Sequence, residues 1–187
     1  MNVDSSLTNQ LLIAMPSMAD PNFSTTVTLI CEHNDDGALG IVINRPLQLK
    51  LRGLFKQLDL PEPDSATAGN PVLLGGPVGP EHGFVLHGPE LTFENSIIVS
   101  EDIQLTLSRD ILHAMASGEG PDKSLVALGY AGWQPGQLEN EMLTNSWLSV
   151  PATTDILFDT PFDQRWMTAA QTLGIDISRI SPDAGHA

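Results

Sequence analysis

Residues 72–88 constrain the fold more than any other stretch. Val72-Leu73-Leu74 and Phe84-Val85-Leu86 are short apolar runs separated by Gly75-Gly76-Pro77-Val78-Gly79-Pro80. Apolar runs bounded by such breakers read as strands meeting at a rigid turn. A second stretch of the same style is Gly37-Ala38-Leu39-Gly40-Ile41-Val42-Ile43-Asn44-Arg45-Pro46. Its run 38–43 has no polar side, which predicts a central strand covered on both faces. The strand stops at polar residues and a proline.

The rest of the chain alternates short strands and short helices. Residues 1–9 are polar and expected to fray. Gln10–Met15 reads as a strand stopped by Pro16, and Asp20-Pro21 marks a loop. Phe23–His33 is rich in β-branched residues, with Val27, Leu29 and Cys31 on one face and Thr28, Ile30 and Glu32 on the other. Asn34-Asp35-Asp36-Gly37 predicts a hairpin turn. Leu51, Leu54, Phe55 and Leu58 follow helical spacing and predict a short amphipathic helix ending near Leu60-Pro61. Residues 61–71 read as a loop. Ser96–Val99 and Ser124–Gly129 read as strands, and 108–117 as a helix between Ser108 and Gly118. Gly132–Gly136 reads as a turn into a helix near 136–144. Trp147–Val150 and Asp155–Phe158 read as strands or extended pieces. Asp163–Leu173 is a final helix with Trp166, Met167, Ala170 and Leu173 on one face, ended by Gly174. The order predicts one α+β domain over 1–187, a mixed, largely antiparallel sheet flanked by helices.

Composition excludes several classes. The 187 residues carry 23 acidic and 8 basic side chains, a net charge of −15. Phosphate neutralisation supplies most non-specific nucleic-acid affinity, so the balance disfavours direct DNA binding. A single cysteine, Cys31, excludes an intrachain disulfide and a cysteine-rich zinc site. No basic leader precedes the short apolar run at 11–15, and that run is too short to span a membrane. The expected location is cytoplasmic, with no membrane partner.

Candidate chemistry is sparse. Gly75–Pro80 resembles a phosphate cradle only in its glycines, because Pro77 and Pro80 remove donors and no Lys-Ser/Thr pair follows. Cys31 and His33 are placed on one strand face, beside Glu32, Asp35 and Asp36. That acidic setting opposes a reactive thiolate, and a lone strand cysteine behaves as a small hydrophobe. His33, His82 and His87 lack zinc-site spacing, so no metal and no cofactor is expected. No G-x-S-x-G elbow occurs. Glu139 and Glu141, two apart on a helix, do not share a face.

Arg45, Lys50, Arg52 and Lys56 hold half the basic residues within twelve positions. They form either a solvated helix face with Arg45 satisfying carbonyls at a strand end, or an anion contact there. Gly129-Tyr130-Ala131-Gly132-Trp133 suits either a packed corner or a ligand wall. The candidate ligand or partner surface is therefore Asn44, Arg45, Pro46, Gly75, Gly76, Pro77, His87, Tyr130, Gly132 and Trp133. Gly75–Pro80, Asn44–Pro46 and Gly129–Trp133 are expected on one side of the sheet.

These motifs together resemble the YqgE/AlgH family of bacterial proteins. The match runs from Leu11–Pro16 and Phe23 through Gly37–Pro46, Gly75–Val78 and Phe84–His87. It continues through Gly129–Trp133, Gln137-Leu138-Glu139 with Glu141, Trp147 and Trp166, to Gly185-His186-Ala187. The resemblance implies a cytoplasmic α+β domain. One branch is named as a regulator of alginate synthesis and is often labelled a transcriptional regulator. It implies no catalytic residues and no cofactor. The leading expectation is a non-enzymatic regulatory or binding protein with a protein or small-molecule partner, acting on transcription indirectly if at all. The alternatives are a hydrolase-like enzyme with a cleft near Asn44, Arg45 and His87, or a direct DNA-binding regulator.

Overall fold

The computed structural model describes residues 6–180; the closing Gly185-His186-Ala187 and residues 1–5 lie outside them. Its elements are β1 (Gln10–Ala14), β2 (Val27–Asn34), β3 (Gly37–Val42), β4 (Pro46–Lys50), α1 (Leu51–Gln57), α2 (Ser65–Ala68) and β5 (Pro71–Leu74). There follow β6 (Val78–His87), β7 (Ser96–Ile98), β8 (Gln104–Thr106), α3 (Asp110–Ala116), β9 (Ser124–Trp133), α4 (Gln137–Leu143), β10 (Trp147–Pro151) and α5 (Arg165–Gln171).

Ten strands make one curled sheet in the order β10-β1-β2-β3-β9-β6-β8-β7, with β5 on β9 and β4 on β5. Every pairing is antiparallel except β5 with β9. The α+β class and the mixed, largely antiparallel sheet are as the sequence indicates. The β2–β3 hairpin forms where expected, with Asn34 opposite Gly37.

One sheet face carries Leu11, Leu29, Ile43, Leu73, Leu86 and Leu105, packed with Ala169, Ala170, Ile156 and Leu157. The other face is covered in two parts. Leu12, Ile30, Trp133 and Trp147 pack with Leu138 of α4, while Val72, Val85 and Val126 pack with α1 and α3. Each fully buried Leu or Ile contributes roughly 1.5–3 kcal/mol relative to exposure, so this two-sided sheet carries most of the packing.

The 72–88 segment is not a hairpin. At Ala127, β9 is in register with Leu73 of β5 and with Phe84 of β6, so those strands occupy opposite edges of β9. The chain between them must cross β9. It does so at Gly129, which has φ +78° and whose Cα faces the carbonyl oxygens of Gly76 and Val78. The same left-handed residue shifts the strand's alternation. Leu125 and Ala127 face the first core and Tyr130 rejoins it, while Ala131 and Trp133 face α4.

Other corrections concern local structure. Phe23–Thr25 form a turn, Thr25 with φ +60°, and the strand starts at Val27. β3 stops at Val42, before Asn44 and Arg45, and Pro46 opens an additional strand, β4, while 61–71 contains α2, capped by the Asp64 side chain on the Thr67 N–H. The α3 N-cap position is Arg109, with Ser108 just before it, and β8 is an additional strand. Tyr130–Trp133 continue the strand, so the turn is confined to 134–136. Asp155–Asp159 is a π-helical turn, not a strand. On α5 the buried residues are Arg165, Ala169 and Ala170, whereas Met167 and Leu173 are exposed. Residues 6–9 are tied down: the Asn9 N–H donates to the Ile30 carbonyl and the Leu7 N–H to His33 Nδ1.

Candidate functional site

The strand end 44–46 and the crossing 75–80 adjoin directly. Leu74 N–H donates to the Arg45 carbonyl, and Val42 N–H donates to the Gly75 carbonyl. Gly75 N–H in turn donates to Leu128 of β9, and Gly76 abuts the Tyr130 backbone. Asn44, Arg45, Pro46, Gly75, Gly76, Pro77 and Tyr130 thus meet where β3, β5 and β9 join. Their polar side chains are engaged by backbone. Asn44 Oδ1 accepts from Val27 N–H and its Nδ2 donates to the Thr25 carbonyl. The Arg45 guanidinium donates to the carbonyls of Asn22 (2.7 Å) and Ser24 (2.9 Å). The ring of Tyr130 packs edge-on against Phe84, 5.7 Å between centroids. Pro46, Pro77 and Gly132 are exposed.

Arg165 completes this junction, and the sequence reading missed it. It is 2 % exposed, donates from its guanidinium to the Ile43 carbonyl and from Nε to the Thr160 carbonyl, and lies over the Phe162 ring. Burial lowers its pKa to about 10, which leaves it charged at neutral pH. A basic residue in a chain with eight is a usable signal, but its inward direction was not readable from helical spacing.

His87 and Trp133 stand apart from that junction. His87 pairs with Ser124, whereas Gly75 meets Leu128, four residues along β9 and about 13 Å away. This separation removes the hydrolase-like version in which Arg45 and His87 share a cleft. His87 is fully buried, with a ring nitrogen, Nδ1, against the Gly88 carbonyl (2.7 Å). A carbonyl only accepts, so Nδ1 carries the proton and Nε2 accepts from the Thr106 hydroxyl, which accepts from Ser96. Burial lowers the His87 pKa, in keeping with a neutral ring. Thr106 is 1 % exposed, so this chain of hydrogen bonds joins strands β6, β7 and β8 and presents no open nucleophile.

Trp133 belongs to a polar knot on the opposite side of the sheet. Trp133 and Trp147 both donate their indole N–H to Glu141 Oε1, and Gln137 donates to Oε2. Glu139 goes elsewhere, accepting from His33 Nε2, so the two carboxylates do not form a pair. His33 does not share a face with Cys31. The β2–β3 register shifts at Cys31, and beyond it His33 pairs with Ala38, on the α4 side, while Cys31 packs in the first core. An extra residue in one strand inverts every side chain after it. Burial, with the nearby Glu32, drives the Cys31 thiol far above its ordinary value, so it is inert.

In the basic island Arg45 bonds carbonyls at the strand end, while Lys50 just before α1 and Arg52 and Lys56 on it are exposed, Arg52 paired with Glu62. Among the described residues no group of three or more His, Cys, Asp or Glu could hold a metal, and no helix is long and apolar enough to cross a membrane.

A cleft that the sequence did not single out opens between β6, α1 and α3. It holds about 400 Å³, with Leu54, Leu58, Val85, Leu112, Val126 and Leu128 along it. Glu81, His82, Thr106, Ser108 and Arg109 supply its polar lining. The crossing shapes one wall, because Gly79 lies against the His82 ring. An apolar pocket with a few polar groups at its rim is the usual form of a small-molecule site.

A UPF0301 protein of Thioalkalivibrio sulfidiphilus is 56% identical to this chain over the full length of both. One from Methylococcus capsulatus is 50% identical over 96% of each. The solution structure of the AlgH protein from Pseudomonas aeruginosa is similar, with TM-score 0.80 and 45% identity over 100% of this chain and 99% of that one. A Corynebacterium diphtheriae protein shares the fold at TM-score 0.71 and 19% identity, over 92% and 90% of the two chains. The AlgH-like family model matches residues 11–178, and the chain belongs to that family.

Proposed function

We propose that this protein is a non-enzymatic binding protein whose ligand seats in the cleft between β6, α1 and α3. Any influence on transcription is then indirect, through a partner that responds to the liganded form. The cleft carries the reading: it combines an apolar floor with an open polar rim. The junction of Asn44, Arg45, Gly75, Gly76 and Tyr130 is the frame that holds β6 in place beside it. The exposed Pro46, Pro77 and Gly132 mark the surface on which a protein partner would bear. The net charge of −15 supports a route other than direct DNA contact.

A fragment screen followed by methyl NMR tests the site. Binding should move the methyls of Leu54, Val85, Leu112 and Val126 and leave those of Leu12 and Val150 in place. Leu112→Trp, which fills the cleft, should abolish the shifts. Shifts confined to other surfaces would overturn the assignment.

A further inference from the structure

We infer that the cleft takes a small amphipathic anion, its apolar body against the leucines and valines and its carboxylate or other monoanionic head on Arg109. The inference rests on the binding reading above and adds the ligand class.

It begins with the basic side chains. Arg45 and Arg165 donate to backbone carbonyls. Arg52, Lys123 and Arg179 are paired with Glu62, Asp159 and Asp176. Among the described residues this leaves Lys50, Lys56 and Arg109 without a hydrogen-bond or ion-pair partner. Of these three, Arg109 lines the cleft. In a chain with 23 acidic residues, an unpaired guanidinium beside an apolar groove is a marked exception.

The neighbouring polar groups are already engaged. Ser108 donates to Asp110 and accepts from the Asn95 N–H. Asp110 also accepts from the N–H groups of Glu94 and Ile111, so its carboxylate is turned to its own loop and helix start. The Thr106 hydroxyl is held by His87 and Ser96. Glu81, the one carboxylate in the lining, lies 3.4 Å from His82. Arg109 is therefore the free charged donor that the cleft offers. The guanidinium fork matches a carboxylate in geometry. A volume of about 400 Å³ falls at the small end of ligand pockets, which span roughly 300–1,000 Å³. That suits a short-chain amphiphile better than a nucleotide.

Three probes of equal chain length separate the contributions: octanoate, octan-1-ol and octylammonium, each titrated against the full chain by NMR. Octanoate should shift Leu54, Val85 and Leu112 and the Arg109 side chain, and bind about fivefold tighter than octanol, the range of an exposed ion pair. Octylammonium should bind more weakly than octanol. Arg109→Gln, at an exposed position, should bring octanoate to the octanol level and leave octanol unchanged. Equal binding of octanoate and octanol, or a preference that survives Arg109→Gln, would overturn the anion inference while leaving the cleft as the site. Probes that leave the cleft residues unmoved would overturn both.

Discussion

Gly129 and Gly76 cross with so little room that a Cβ on Gly129 would stand 2.5 Å from the Gly76 carbonyl oxygen. Gly129 also has φ +78°, a conformation that costs other residues about 1–2 kcal/mol. Gly136 has nearly the same φ, +77°, with nothing within 4 Å of its would-be Cβ. The two sites therefore separate strain from clash. Gly136→Ala should cost about 1 kcal/mol and Gly129→Ala about 3 kcal/mol or more. Urea unfolding of the two variants measures the difference; equal losses would mean that the crossing relaxes freely.

Glu141 should be worth more than an ordinary surface carboxylate. Its removal leaves two indole N–H groups without their acceptor, and an unsatisfied buried donor costs about 1–3 kcal/mol. Glu141→Ala should lose about 2 kcal/mol and shift the tryptophan emission. Glu141→Gln keeps one acceptor oxygen and should lose less than half of that.

Stability should rise with pH across the window just below about 6.5, the ordinary histidine value. Burial depresses the His87 pKa in the fold, opposed by its bond to Gly88 and by Glu90. Between the folded and unfolded values the unfolded chain binds more protons, so stability falls as pH drops through that window and is independent of this group above it. Urea midpoints between about pH 5 and pH 8 should show this slope, and His87→Gln should flatten it. An unchanged slope in the variant would assign the effect elsewhere.

Cys31 should resist thiol reagents in the native state. It is 1 % exposed and its thiol is held protonated by burial. Labelling with a disulfide reagent should proceed only as fast as the protein opens, and should become immediate in denaturant. Rapid labelling of the native protein would contradict the packing of β2.

Local features were readable in the sequence because local chemistry decides them. The hairpin at Asn34–Gly37 follows from its turn residues, and α1 from the spacing of Leu51, Leu54 and Phe55. The errors arose where the local signal was ambiguous or inverted. A short apolar run such as Ile156-Leu157-Phe158 does not distinguish strand from helical turn. At the last helix the spacing of Trp166, Met167, Ala170 and Leu173 suggests a face that leaves out Arg165, yet Arg165 is buried while Met167 and Leu173 are exposed. The bulge at Cys31 carries no residue signature and moved His33 to the other side of the sheet.

The candidate site was legible only in part, for a related reason. The glycines and prolines of 75–80 do mark a place where backbones come close, and they draw in Asn44, Arg45 and Tyr130. Their cause, however, is contact between chain segments about fifty residues apart, which no spacing rule encodes. The cleft is built likewise, from Leu54, Val85, Arg109 and Val126. Each is unremarkable in its own segment.

The position of β9 bears on how the chain comes to be folded at all. This strand is laid between β3, β5 and β6, yet it is among the last to be synthesised. Until residue 133 is available, β3 and β5 lack a neighbour on the edge that β9 will fill, and the crossing has nothing to cross. The N-terminal two-thirds therefore cannot settle as a finished unit while the remainder is being made. Assembly must wait for a late segment to be inserted at the centre, a high-contact-order route that is expected to be slow and to leave strand edges open to other chains in the meantime.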